Sequence, residues 1–379
     1  LPLHIFSLND NIWLFSQVPR RPFTAPDVYD LPAVTEWLPA TVPGNVRTDL
    51  LALGRIPDPF FGEQYQQSLW VEDVDWWYLR LIEPDQVLGA THFQSALHLK
   101  FARAFLVFEG IDYLSAIFVN GREMARHEGM FSRQIVEITE ALRAGPTEIA
   151  VRLWGSSALP RRQLIWRQRV WQKIAAPFYR SWVGIYPDRS ASLKCQMSFG
   201  WDFAPPIRTI GIWDEVNLVV SGPVFIAEAS AIGQPVDQLS ASAGLRSLVS
   251  GHSPADLTIH LTLDADHPRP VEATILITPA NFEGLAFGPF NFPLDLPAGH
   301  STHSLPCHLP EAALWWPWDR GQPHLYHVKI TLTEPEGEPL DEVVIRTGIR
   351  AVDLENWQFT VNGQREFIRG LNWVPADSF

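Results

Sequence analysis

Cysteine is almost missing: Cys195 and Cys307 are the only two in 379 residues. They lie far apart and supply no disulfide framework for a chain of this size. No Asn-x-Ser/Thr sequon occurs either, so a reducing, cytoplasmic compartment is the expectation, with secretion left open if a leader once preceded Leu1. Charge is scarce as well, at 19% Asp, Glu, Lys and Arg, and it is unbalanced to a formal net of -13. That sign argues against nucleic acid or an anionic membrane surface as the main partner. No apolar run reaches the length of a membrane span, and the residues after Leu1 show no basic-plus-apolar leader pattern. What the chain has in abundance is 16 Trp, 22 Phe, 32 Pro and 24 Gly. Turn formers in that number, with few helix-period stretches, predict an all-β protein. The length suits two or three domains, each with its own core. Most of the tryptophans must be core anchors, while a minority can offer flat faces to sugar rings.

Residues 1–222 read as one β domain. Short apolar runs recur between turn signals: 75–80, 104–109, 115–119, 148–153 and 216–220. Val119-Asn120-Gly121 ends a strand in a strong hairpin signal. Such a set of strands predicts a two-sheet jelly roll. Asn45 is placed to cap a short helix running into Leu50 and Leu51. Between residues 157 and 190, Arg161, Arg162, Arg167, Arg169 and Lys173 alternate with apolar residues. The pattern predicts a basic surface helix or lid, with phosphate binding as the alternative. Ser221-Gly222-Pro223 marks a boundary. Residues 223–352 then show cleaner alternation (257–263, 273–277, 327–332, 342–346), which predicts an immunoglobulin-like sandwich without the Cys-Trp-Cys signature. Residues 353–379 hold a hairpin turning at Asn362-Gly363. They close with a short apolar strand running into Gly370, Asn372 and Trp373, the way an α/β barrel opens.

Candidate chemistry is sparse. Ser198-Phe199-Gly200-Trp201-Asp202-Phe203-Ala204-Pro205-Pro206 fixes a carboxylate among aromatics in a Gly/Pro-rich loop. Asp202 there can accept two sugar hydroxyls while Trp201 covers the apolar ring face. Equally, Asp202 can be a turn cap and Trp201 a core residue. The aromatic block 313–326 reads as a structural plug. His300, His303, Cys307 and His308 lie close enough to suggest zinc, but match no standard finger spacing and also read as a strand edge. No metal site and no cofactor are assigned. Neither a Gly-x-Ser-x-Gly elbow nor a phosphate loop is present. Glycoside hydrolysis needs two carboxyls flanking one bond. Only Asp202 and Asp377 stand out, and both read as positioning groups.

Taken in order, these segments resemble family 2 glycoside hydrolases, and the β-mannosidase branch in particular. The resemblance is carried by Ala40–Val46, Asp49–Leu51, Ile56–Gly62, Trp70–Tyr78, Phe108–Asp112, Phe118–Gly121 and Gly129–Phe131. It continues through Phe199–Asp202, Gly211–Trp213, Leu314–Tyr326 and Arg346–Arg350. The resemblance implies a jelly-roll sugar-binding domain (1–222), an Ig-like sandwich (223–352) and the first strand of a (β/α)8 barrel (353–379). It further implies an exo-acting retaining β-glycosidase. The two catalytic glutamates would lie beyond Phe379, so no catalytic residue is expected in this chain and the chain alone is expected to be inactive. The implied substrate-binding residues are Trp201, Asp202, Asn372, Trp373 and Asp377, acting on a β-linked, mannoside-like sugar. Trp373 favours the mannosidase type. The sequence departs from the branch pattern at Arg47, Leu193, Phe203 and Ala204, positions that bear on the choice of sugar. A glucosaminidase-type relative and a free-standing lectin are the alternatives, and the oligomeric state is open.

Overall fold

The computed structural model describes residues 4–26, 28–83, 103–160, 166, 189, 191–201, 204–236, 252–335, 337 and 339–373. These fall into two compact units, one drawn from Ile5–His98 and Ala104–Val219 and the other from Val220–Trp373 with His4 and Arg103. The basic segment 161–188 lies, but for Trp166, outside the described residues.

The first unit is a two-sheet jelly roll. Its early strands are β1 (His4–Ser7), β2 (Trp13–Val18), β3 (Leu38–Ala40), β4 (Asp75–Ile82) and β5 (Arg103–Phe108). The later ones are β6 (Leu114–Val119), β7 (Arg122–Glu128), β8 (Gln134–Glu137), β9 (Thr147–Leu153) and β10 (Val216–Ser221). One sheet runs β3-β2-β4-β9-β6-β7 and the other β1-β10-β5-β8. Strand β4, Asp-Trp-Trp-Tyr-Leu-Arg-Leu-Ile, shows no polar/apolar alternation because both of its faces are covered from Asp75 to Tyr78, while Leu81 near its end is exposed. Phe15 stacks on Trp76 at 5.6 Å, while Tyr29 and Phe118 meet the neighbouring Trp77 at 5.8 and 5.3 Å. A buried indole still needs a partner for its N–H. Trp13 donates to the Leu8 carbonyl (2.8 Å), Trp76 to Val71 (3.0 Å), Trp154 to Arg21 (2.9 Å) and Trp77 to Asp30 (2.9 Å).

Local signals hold where the backbone alone decides. Helix α1 (Val46–Ala52) begins at Asn45, whose side chain accepts from the amides of Arg47 (3.0 Å) and Thr48 (3.1 Å). The Thr48 hydroxyl completes a capping box with the Asn45 amide. The β6–β7 hairpin turns on Asn120 and Gly121, at φ 48° and 79°. That is the left-handed pair a two-residue turn requires.

The second unit is an Ig-like sandwich. Strands β11 (Val224–Pro235) and β12 (His252–Ala265) form one sheet with β15 (Gly299–Ala313), in the order β11-β12-β15. Strands β13 (Arg269–Pro279), β14 (Phe287–Leu296), β16 (Tyr326–Thr333) and β17 (Pro339–Thr347) form the other, ordered β14-β13-β16-β17. Here alternation is clean: Leu257, Ile259, Leu261 and Leu263 from β12 face Val328, Ile330 and Leu332 from β16 within one core. A three-stranded meander follows, β18 (Val352–Glu355), β19 (Gln358–Val361) and β20 (Gln364–Glu366). Its turn residue Asn362 ties it to the sandwich. The Asn362 side chain accepts from the Ala351 amide (2.9 Å) and donates to the Trp315 carbonyl (3.0 Å).

Two expectations are corrected here. The apolar run at 367–373 forms no strand, and Phe367, Ile368, Leu371 and Trp373 are all exposed. A strand needs a neighbour for its ladder hydrogen bonds, and no pairing reaches this segment among the described residues. The aromatic block 313–326 is also not uniformly a plug: Trp316 is buried, but Trp318 is 84% exposed.

Candidate functional site

The Trp201 loop is built from the inside outward. Phe199 is fully buried beside Met130, Trp154 and Phe118 and anchors the loop's first stem in the jelly-roll core. Gly200 follows at φ +94°, a conformation that L side chains rarely adopt. Beyond it the amide of Trp201 donates to the Ala204 carbonyl (3.1 Å), and the amide of Ala204 donates back (3.4 Å). This clasp leaves the Trp201 ring 47% exposed, with the Arg189 guanidinium 5.9 Å from its centroid. Trp201 is therefore not a core residue. Asp202 and Phe203 lie outside the described residues.

Two buried charge clusters hold the stems of this loop. In the first, the Lys194 ammonium donates to the carboxylate of Asp112, to the Thr209 carbonyl (2.7 Å) and to the Thr209 hydroxyl (3.1 Å). The Thr209 hydroxyl in turn donates to Asp112 at 2.7 Å. Burial pushes the Lys194 ammonium below its ordinary pKa, and the Asp112 charge opposes that shift. In the second cluster, Glu72 accepts from Arg47 (2.9 Å), from the Arg208 guanidinium (2.5 Å) and from the Arg208 amide (3.1 Å). Lys194 and Cys195 enter the loop, and Arg208 and Thr209 leave it, so both strands of the stem are tied to the scaffold.

A third buried cluster stabilises the sheet below. Arg152, fully buried in β9, bridges Asp75 (2.9 Å) and Asp30 (2.7 Å) between the faces of Trp77 and Trp154. Asp75 also accepts from the amides of Arg21 (2.9 Å) and Gly155 (3.1 Å), which satisfies a carboxylate that has no access to water.

Of the residues expected to bind substrate, Trp201 belongs to the first unit and Asn372 and Trp373 to the second, where both are exposed. Asp202 and Asp377 lie outside the described residues. The four zinc candidates are split across the two faces of β15. His303 and Cys307 point inward, while His300 and His308 point outward and pair with Asp264 (2.9 Å) and Asp256 (2.8 Å). No group of three metal-ligating side chains gathers among the described residues.

The comparisons with known proteins follow this order of domains. The family profile described as glycosyl hydrolase 2 galactose-binding domain-like matches residues 19–214, more than half of the chain. A second profile, glycosyl hydrolases family 2, matches 231–350. The chain belongs to glycosyl hydrolase family 2. Among family relatives, β-mannosidase B of Emericella nidulans is 28% identical over 354 residues, covering 90% of this chain and 37% of its own length. The mannosylglycoprotein endo-β-mannosidase of Lilium longiflorum is 26% identical over 379 aligned positions, with 90% and 34% covered. The crystal structure of the β-D-mannosidase from Dictyoglomus thermophilum superposes with a TM-score of 0.72 at 29% identity, over 99% of this chain and 41% of that one. The chain thus spans well under half the length of these family 2 relatives.

Within this family 2 chain, the residues that sequence reasoning missed are the buried ions Asp112, Lys194, Glu72 and Arg208. Two of them, Glu72 and Asp112, sit inside motifs that carried the resemblance (Trp70–Tyr78 and Phe108–Asp112), so for these the signal was a charge embedded in an apolar motif. Arg47, a departure from the branch pattern, is 1% exposed and bonded to Ser68 and Glu72. It has a scaffold partner. Leu193, another departure, is 80% exposed, and nothing in the structure accounts for it.

Proposed function

We propose that the whole protein is an exo-acting, retaining β-glycosidase of the β-mannosidase type, to which this chain contributes the sugar-binding jelly roll and the Ig-like sandwich. The observation that carries this reading is that both modules match family 2 profiles in order, and that β-mannosidases align along nine-tenths of the chain. In such an enzyme one carboxylate attacks the anomeric carbon while a second protonates the leaving oxygen. Water then releases the sugar with retained configuration. Both groups are expected on barrel strands outside these 379 residues. Trp201, Asp202, Asn372, Trp373 and Asp377 are the proposed substrate-binding residues, with Trp201 and Asp202 the wall against the terminal sugar. The half-exposed indole of Trp201, held by its clasp to Ala204, supports a ring-stacking part. Two free thiols, Cys195 and Cys307, support the proposal of a reducing compartment.

Assay of the 379-residue chain and of the full-length protein with p-nitrophenyl β-mannoside tests this. Turnover is expected from the full-length protein only. Hydrolysis by the short chain above buffer would sink the assignment of the catalytic groups, and inactivity of the full-length protein on every β-glycoside tried would sink the enzyme reading. The lily relative acts as an endo-enzyme, so a mannosylglycoprotein substrate belongs in the panel; release of internal fragments would replace exo with endo.

A further inference from the structure

The jelly roll carries a concave surface that none of the described residues of the Trp201 loop lines. A cavity of about 240 Å³ opens where β2, β3 and the end of α1 meet the 3-10 segment Gln64–Glu72. It is lined by Ser16, Gln17, Leu38, Leu50, Trp70 and Trp76, with Glu36 and Arg55 at its edge. Trp76 is 1% exposed and fixed, its N–H donating to the Val71 carbonyl at 3.0 Å and its ring stacked on Phe15. Trp70 leans against it with ring centroids 5.9 Å apart, yet stays 39% exposed. Across the register Gln17 stands opposite Trp76 on the neighbouring strand. Arg55 and Glu36 pair at 2.8 Å, and both remain more than half exposed, so their outward donors and acceptors are free to meet a ligand.

We infer that this groove is a binding site for a single pyranose ring. An exposed indole backed by a rigid second indole offers an apolar face to the axial C–H groups of a sugar. Gln17, Glu36 and Arg55 supply a mixed set of donors and acceptors suited to hydroxyls and not to an ion of either sign. The volume falls below the roughly 300–1,000 Å³ typical of pockets for drug-sized ligands, and so suits one ring instead of an extended chain. The site differs from the proposed terminal-sugar wall at Trp201 and does not depend on the catalytic reading.

Ligand-observed NMR on the 379-residue chain tests it, with methyl β-D-mannopyranoside, methyl β-D-glucopyranoside and β-1,4-mannotriose as probes. Saturation transfer is expected to at least one probe at millimolar concentration. Equal affinity for monosaccharide and trisaccharide marks a site for a free ring, and tighter binding of mannotriose marks a chain end; either supports the assignment. Trp70→Ala should weaken binding about tenfold, by removing the stacking face. Gln17→Ala, which leaves the paired indoles intact, should weaken it severalfold and covers the case in which Trp70→Ala fails to fold. Binding that survives both substitutions, binding abolished by Trp201→Ala while Trp70→Ala has no effect, or no binding of any probe overturns the inference.

Discussion

Removing the charge of Lys194 isolates the contribution of the loop's first anchor. Lys194→Met deletes the ammonium and leaves Asp112 as a carboxylate 1% exposed, whose one remaining side-chain hydrogen bond among the described residues comes from the Thr209 hydroxyl. Its Oδ1 has no hydrogen-bond partner among the described residues, so none of them replaces the lost donor. Breaking a buried ion pair from one side costs about 3–5 kcal/mol, because the abandoned charge stays desolvated. For a unit of this size each kcal/mol moves the transition by about 2–4 °C, so the first unit should melt roughly 6–20 °C lower. Asp112→Asn should cost about the same for the mirrored reason, a buried ammonium left without its counter-charge. The double variant removes both charges at once and should cost no more than either single change. Differential scanning calorimetry on the 379-residue chain gives the shifts, and hydrogen exchange of peptides covering 191–201 and 204–213 locates them. The loop stems should lose protection first. Single variants each costing under about 1 kcal/mol, or a double variant costing the sum of the two, would refute the reasoning that this pair is a coupled anchor.

Asp49 gives a pH signature. Burial pushes its carboxyl from 3.8 up to about 6, against hydrogen bonds from the Thr41 amide. Because the folded form holds its proton more tightly than the unfolded form, this contribution is fully present below about pH 4 and is lost as pH rises through about 6. Asp49→Asn should therefore flatten the stability profile between pH 4 and 7 by about 2–3 kcal/mol, at roughly 1.4 kcal/mol per unit. Thermal melts across that window check it, and parallel curves for the two proteins would contradict it. Asn362→Ala loses the two side-chain bonds to Ala351 and Trp315 and places alanine at φ 48°. The expected cost is about 2–3 kcal/mol, seen as faster amide exchange across 352–366, and unchanged exchange there would count against the anchor.

Much of the fold was legible because its signals are local. An Asn-Gly pair strongly favours the left-handed backbone of a two-residue turn, so both hairpin turns, at Asn120 and Asn362, could be placed from sequence. Asn45 caps its helix with atoms only two and three residues away. Alternation exposed the sandwich strands, since each has one wet and one dry face. It failed to describe β6 and the first half of β4, whose residues are buried on both faces, and strand character there had to be read from composition. The run at 367–373 went the other way: its apolar residues suggested a buried strand, yet strand formation depends on a neighbour that its own residues do not supply.

The site divides along the same line. The sequence by itself determined that Trp201 sits in a tight Gly/Pro-framed loop of a β-domain chain, and the order of motifs pointed to family 2. It could not determine which charges meet. Lys194 finds Asp112 across 82 residues, and Arg208 finds Glu72 across 136. Each partner is set by the packing of two sheets, because a buried charge persists only where folding brings its counter-charge within hydrogen-bond reach. Which tryptophans are anchors and which are faces was also decided by tertiary structure. The residue type is the same at Trp76, Trp70 and Trp201, and only the neighbours that cover or leave open each ring distinguish them.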